Sequence, residues 1–117
     1  MRKTKKCFEV DVEIARKVKK VSTPIKVVAK LDTGASLCSI DYSLATLLGV
    51  KPHRDAVIRS ANGKERRPVV FIDIEFSGIK RTVEATLTIR DGLDYIMLLG
   101  FNAFGDDIDD IDLADLL

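Results

Sequence analysis

An apolar run that ends on an acid constrains this chain more than any other stretch. Ile25, Val27, Val28, Ala29 and Leu31 lead directly into Asp32-Thr33-Gly34. Burying a carboxylate there is costly unless it is paired, hydrogen-bonded or protonated. The glycine lets the backbone turn sharply and come close to the acid. Such a placement prepares an aspartate for acid–base work. The tripeptide is also ordinary turn chemistry at a strand end, so the rest of the chain has to separate the two readings.

With 117 residues, 46% hydrophobic and 32% charged, residues 1–117 are expected to form one domain with a core under a charged surface. Lys and Arg number 19 against 18 acids, for a formal net charge of +1, so nothing calls for nucleic acid as a partner. Charge is nonetheless polarised. Arg2, Lys3, Lys5 and Lys6 open the sequence, and Asp106, Asp107, Asp109, Asp110, Asp112 and Asp115 crowd its end. The basic stretch lacks aromatic partners for stacking RNA and reads as a solvated edge or an ion-pairing arm. The acidic stretch lacks the central Gly and final Glu of a calcium loop and reads as a solvated tail. No apolar run is long enough to span a bilayer, and the basic start leads into alternation instead of a leader-like segment. The expectation is a cytoplasmic protein with no membrane partner, with Cys7 and Cys38 as reduced thiols in or near the core.

Phe8, Val10, Val12 and Ile14 alternate with Glu9, Asp11 and Glu13, which predicts a half-buried strand. Ile25 to Leu31 is a second strand, buried on both faces toward its end. Leu37, Ile40, Leu44, Leu47 and Leu48 follow a helical spacing, with Asp41 as N-cap and Gly49 as stop. Ala56 to Ser60 and Glu65 to Phe76 flank Asn62-Gly63, a strong hairpin signal; its tip carries little apolar material and should project from the body. Val83, Ala85, Leu87 and Ile89 alternate in a further strand, and Tyr95 to Gly100 is a second apolar run closed by glycine. A brief helix is expected at Asn102-Ala103-Phe104 and a short strand over Ile108 to Leu113. The sum is an all-β domain with one or two short helices.

Asp32-Thr33-Gly34-Ala35-Ser36, a central hairpin, and Leu98-Leu99-Gly100-Phe101-Asn102 together resemble the retroviral-type, retropepsin-like aspartic proteases across nearly the whole chain. Within that clan the sequence is most similar to a prokaryotic family labelled ATP-dependent zinc proteases, found beside ligases that modify ribosomal proteins. Ala29 to Ala35 resembles its first motif. Ile58-Arg59-Ser60-Ala61-Asn62-Gly63 with Arg67-Pro68-Val69-Val70 resembles the second, and Thr86 to Arg90 with Met97 to Gly100 the third. Three positions depart from the pattern: Phe101 replaces a usual Arg, Ile89 an acid before Arg90, and Ser36 the Asp of many retroviral enzymes. The zinc and ATP of the label find no support. His53 is the sole histidine, the two cysteines lack ligand spacing, and no Gly-rich loop precedes Lys-Ser/Thr. No metal or other cofactor is expected.

The resemblance implies a retropepsin-like half-barrel with a flap hairpin, assembling as a two-fold homodimer. One chain supplies one aspartate, whereas this hydrolysis uses two carboxylates sharing a proton, one as base on water and one as acid on the scissile carbonyl. Asp32 would meet its symmetry copy, and such a pair titrates as a unit. Thr33 would bond across the interface, and Gly34 would lie close to the carboxylate. Ala35 and Ser36 would line the substrate channel. Ser60, Ala61, Asn62, Gly63 and Lys64 would form the flap over a protein or peptide substrate held in extended form. Leu98, Leu99 and Gly100 would pack behind the catalytic loop. A catalytically inactive dimer of the same fold, acting as a peptide-binding or assembly module, stays open beside the endopeptidase. A Cys38 nucleophile with His53 as base is disfavoured, since a cysteine among apolar positions usually belongs to the core.

Overall fold

Period-two alternation builds most of the sheet. A computed structural model describes residues 8–104 apart from 62, 91 and 93. In β1 (Glu9–Ile14), Val10, Val12 and Ile14 point inward and are buried. In β2 (Ile25–Leu31), Val27 and Ala29 are buried, whereas on the other face Val28 is half-covered between the exposed Lys26 and Lys30, so that second face is less enclosed than the run of apolar residues implied. Then come β3 (Cys38–Asp41), α1 (Tyr42–Leu48), β4 (Arg54–Ser60), β5 (Gly63–Phe76), β6 (Ile79–Thr88), β7 (Met97–Leu99) and a 3-10 turn at Phe101–Ala103. Cys7, the two charged ends and the strand expected over Ile108 to Leu113 lie outside the described residues.

Neighbouring strands follow the order β1-β2-β7-β3-β6-β5-β4, and β1 pairs again with β5 at Glu13↔Glu75 and Ile14↔Ile74. That last pairing closes six strands into a barrel and leaves β4 outside the ring. Most pairs are antiparallel; β2 with β7 and β3 with β6 are parallel. The interior is filled by side chains such as Ile14, Ile40, Leu48, Ile72 and Leu99, with Phe104 edge-to-face on Phe76 at 5.8 Å and 85°. No helix among the described residues is long and apolar enough to cross a membrane.

Two expectations require correction. Leu37 and Ile40 do not belong to the helix: Cys38 to Asp41 form β3, flanked by β6 and β7 and buried at all four positions. A four-residue strand covered on both faces has no alternation to read, and its Ser and Asp mimic a turn. Leu47, counted on the apolar helix face, is 58% exposed, and Ile89, counted in the strand, is 75% exposed beyond the end of β6. The helix caps are as expected. Asp41 is the N-cap, and Gly49 closes the helix at φ 74° with its N–H on the Ala45 and Thr46 carbonyls.

Asp41 does more than cap. One carboxylate oxygen accepts from the Ser43 N–H at 2.8 Å and from the Ser43 hydroxyl; the other accepts from the Arg90 N–H at 2.6 Å. These donors, the Ser43 hydroxyl foremost, hold its carboxyl below the ordinary carboxylate range. Asp41→Ala is expected to cost about 2–4 kcal/mol, a cap plus a charge-assisted hydrogen bond, measured by urea unfolding. Because the folded pKa is depressed, this contribution is present above the unfolded value of 3.8 and is lost as pH falls through the lower folded value. The wild-type advantage over the alanine variant should therefore shrink at pH below about 4.

Candidate active site

The Asp32 loop is held from behind by the segment that follows β7. Asp32 N–H donates to the Leu99 carbonyl at 2.9 Å, and Ala35 N–H closes a turn onto the Asp32 carbonyl at 3.2 Å. Phe101 N–H then donates to Ala35 O at 2.7 Å, and Asn102 N–H to Ser36 O at 3.1 Å. Four main-chain bonds thus fix the loop without using the Asp32 carboxylate. Gly100 makes the approach feasible: a Cβ there would lie 2.2 Å from the Leu37 carbonyl oxygen and 2.8 Å from the Cys38 nitrogen. Gly34 is less constrained, since a Cβ would meet Asp32 Oδ1 at an ordinary 3.5 Å.

Asn102 is the strut of this arrangement. Its Oδ1 accepts from Cys38 N–H at 2.9 Å and from the Cys38 thiol at 3.3 Å, while its Nδ2 donates to the Glu84 carbonyl at 2.8 Å. The thiol is buried, and burial pushes its pKa up to about 11, so Cys38 is a core group and not a nucleophile. Asn102→Ala would strand the Cys38 N–H and the Glu84 carbonyl together. A loss of about 2–4 kcal/mol is expected from two orphaned buried groups, readable as a lower urea midpoint.

In front of the loop lies an open groove of about 830 Å³, lined by Asp32, Gly34, Ala35, Ser36 and Leu37 on one side and Ala56, Val57, Ile58 and Arg59 of β4 on the other. Ser39, Arg67, Thr86, Arg90 and Leu98 complete it. Thr33 is exposed and is not among the lining residues. Nor are Ala61, Gly63 and Lys64; the Ser60 and Gly63 backbones close the hairpin as a strand pair, and the Ser60 side chain and Asn62 lie outside what the structure describes. The β4 shaft of the arm, Ala56 to Arg59, faces the groove. The hairpin projects because β5 pairs with β6 only from Val69 onward, so residues 63–68 have β4 alone as neighbour. Pro68, which has no N–H to donate, sits at the point of departure.

Sequence reasoning gave no site role to nine of the lining residues, among them Arg67, Arg90, Ser39 and Thr86. Arg67 and Arg90 appeared within motifs but carry side chains into the groove. Arg90 is anchored by its Nε on the Tyr95 carbonyl at 2.7 Å, and Arg67 pairs with Glu65. Burial, then the neighbouring Arg67, holds the Arg90 guanidinium below its ordinary pKa, with Asp41 and Asp32 opposing. Ser39 had no signal because its strand had none; its Oγ is buried with no hydrogen-bond partner among the described residues. Thr86 is buried on β6, its hydroxyl 3.4 Å from the Cys38 carbonyl. The described residues do not fit a zinc site. Among the described residues no three His, Cys, Asp or Glu side chains gather as ligands, and His53 Nε2 faces Glu84 at 2.9 Å.

An aspartate on the floor of a groove, under a projecting hairpin, can activate water if a second acid completes the pair. The same fold occurs in the EIAV protease solved with an inhibitor: 17% identity, 91% of this chain and 92% of that one covered, TM-score 0.60. Simian foamy virus protease follows at 20% identity, 82% and 90% coverage and TM-score 0.57. A Legionella pneumophila protein of unknown function matches at 20% identity, 86% coverage of each chain and TM-score 0.55. The fold is therefore all-β and retropepsin-like. Comparison with curated proteins finds no significant sequence match. A family model described as aspartyl protease matches residues 18–103, a span that takes in the Asp32 loop, the hairpin and the Asn102 strut, and the chain belongs to that family.

Proposed function

We propose that this protein is an aspartic endopeptidase, hydrolysing peptide bonds through a water activated by two Asp32 carboxylates shared across a homodimer. One observation carries the reading: among the described residues lining the groove, Asp32 is the one acid. One carboxylate cannot serve as base on water and as acid on the carbonyl in the same step. A second copy related by a two-fold axis supplies the other. The exposed Thr33-Gly34 turn and Phe101, 45% exposed directly after Gly100, are the surface that would meet the partner. Phe101 stands where the retroviral pattern has Arg, so an apolar contact replaces a charged one. The hairpin 54–68 acts as the flap, and an extended peptide lies between it and the Asp32 loop, adding main-chain bonds as a strand does. The motif likeness at Arg67 to Val70 and Thr86 to Arg90 supports a kinship with the prokaryotic members of this clan.

Incubation with reduced, denatured casein from acidic to neutral pH, with products identified by mass spectrometry, tests the activity. The dimer has its own measurement. Sedimentation equilibrium should give twice the chain mass of 13.0 kDa, and Phe101→Glu should weaken association at least about tenfold by placing like charges across the axis. Particles of one chain mass at the highest attainable concentration would sink the shared-carboxylate reading. Stable dimers with no cleavage under any condition would favour the peptide-binding module instead.

A further inference from the structure

We propose that Glu84 is a positioning residue that ties the root of the flap to the strut behind the Asp32 loop, so that hairpin and loop take their separation from one anchor. The inference rests on the peptidase reading above. Glu84 lies on β6, opposite Phe71 of β5. Its Oε2 accepts from Arg54 Nε at 2.7 Å and its Oε1 from Arg54 Nη2 at 3.0 Å, a two-pronged grip on the first residue of β4. The preceding residue joins in. His53 Nε2 is 2.9 Å from Oε2, and its ring stacks on Phe71 at 4.1 Å and 10°. The main-chain carbonyl of the same Glu84 accepts the Asn102 Nδ2 that braces the catalytic loop.

The sheet order explains why such an anchor is needed. β4 is the outermost strand and has β5 as its one ladder partner. A two-stranded arm held by a single ladder is marginal in water. Glu84 reaches past β5 to seize β4 at its root, where Arg54 is paired with Val69. Arg–carboxylate forks fix direction as well as distance. The Glu84 side chain is 25% exposed against 43% for Arg54, so water reaches the pair and its hold rests on the two-pronged geometry more than on charge. Arg54 first, then His53, holds the Glu84 carboxyl below its ordinary range. With the root pinned, closure over a peptide has fewer arm orientations to give up. The catalytic loop keeps its four main-chain bonds regardless. Weakening the grip should therefore act on substrate capture and leave the chemical step alone.

Steady-state kinetics and native-state amide exchange on Glu84→Gln, Arg54→Met and the double variant test this, using a peptide spanning a casein site cut by the wild-type protein. Each single change should raise KM about fivefold with kcat within about twofold, and the double should do no more than either. Exchange of the amides in 54–59 and 64–68 should quicken several-fold, with β1 and β2 protected as before. Unchanged KM, kcat falling in step with rising KM, or single effects that add independently would each overturn the anchor. If the wild-type protein cuts nothing, the peptidase reading fails and the exchange measurement alone decides. Faster exchange confined to the arm then upholds the anchor, and unchanged exchange removes it.

Discussion

Asp32→Asn is expected to lower cleavage of denatured casein by at least about 10²–10⁴-fold, the usual contribution of a positioned acid or base, while leaving stability within about 0.5 kcal/mol. The substitution keeps the shape of the side chain and every main-chain bond of the loop, including Asp32 N–H to Leu99 O at 2.9 Å. What it removes is the ability to take and return a proton. In the shared-pair mechanism the loss is doubled, since both copies carry the change and neither the base nor the acid survives. The groove offers no substitute. Its other charged lining groups among the described residues are Arg59, Arg67 and Arg90, none of which can act as a base near neutral pH. Circular dichroism and urea unfolding of the variant should overlay those of wild type. Cleavage continuing at the wild-type rate would trace the activity to a contaminant and remove Asp32 from the mechanism.

Gly100→Ala carries the largest expected cost in stability. The added methyl would meet the Leu37 carbonyl oxygen at 2.2 Å, its carbon at 2.4 Å and the Cys38 nitrogen at 2.8 Å. All three are main-chain atoms next to or within a buried strand, so no side chain can swing aside. Relief requires the segment after β7 to lift off the loop. That movement would stretch Phe101 N–H to Ala35 O, Asn102 N–H to Ser36 O and the Cys38–Asn102 strut together. About 3–5 kcal/mol is expected, a large part of the 5–15 kcal/mol typical of a domain. The thermal midpoint should fall by roughly 10 °C or more at a few degrees per kcal/mol. Gly34→Ala supplies the contrast: with its Cβ at an ordinary 3.5 Å from Asp32 Oδ1, it should cost no more than about 1 kcal/mol. Equal stability losses at the two glycines would show that the backbone contact at Gly100 is not what sets its cost.

Much of the architecture was legible because exposed faces force alternation. β1, β5 and β6 each have a wetter and a drier side, and their apolar residues recur every second position. The helix caps were legible for a local reason, since Asp41 and Gly49 satisfy groups within one or two turns of themselves. The projecting hairpin followed from Asn62-Gly63 and from a tip with too little apolar surface to be buried. β3 escaped notice because all four of its positions are buried, which erases the period. Ile89 and Leu47 misled for the opposite reason: they keep the period of an element while the neighbour that would cover them is missing among the described residues.

The sequence by itself determined most of the strands, the caps, the turn that carries Asp32 and the presence of a single candidate acid in each chain. Those are properties of near neighbours, written in spacings of two to four residues. Only the tertiary structure decided that Asn102 braces the loop, that Arg67, Arg90, Ser39 and Thr86 line the groove, and that the β4 shaft of the hairpin faces it. These depend on which strands close the barrel and in what register. A pairing such as β2 with β7 joins residues nearly seventy positions apart, beyond the reach of any local pattern.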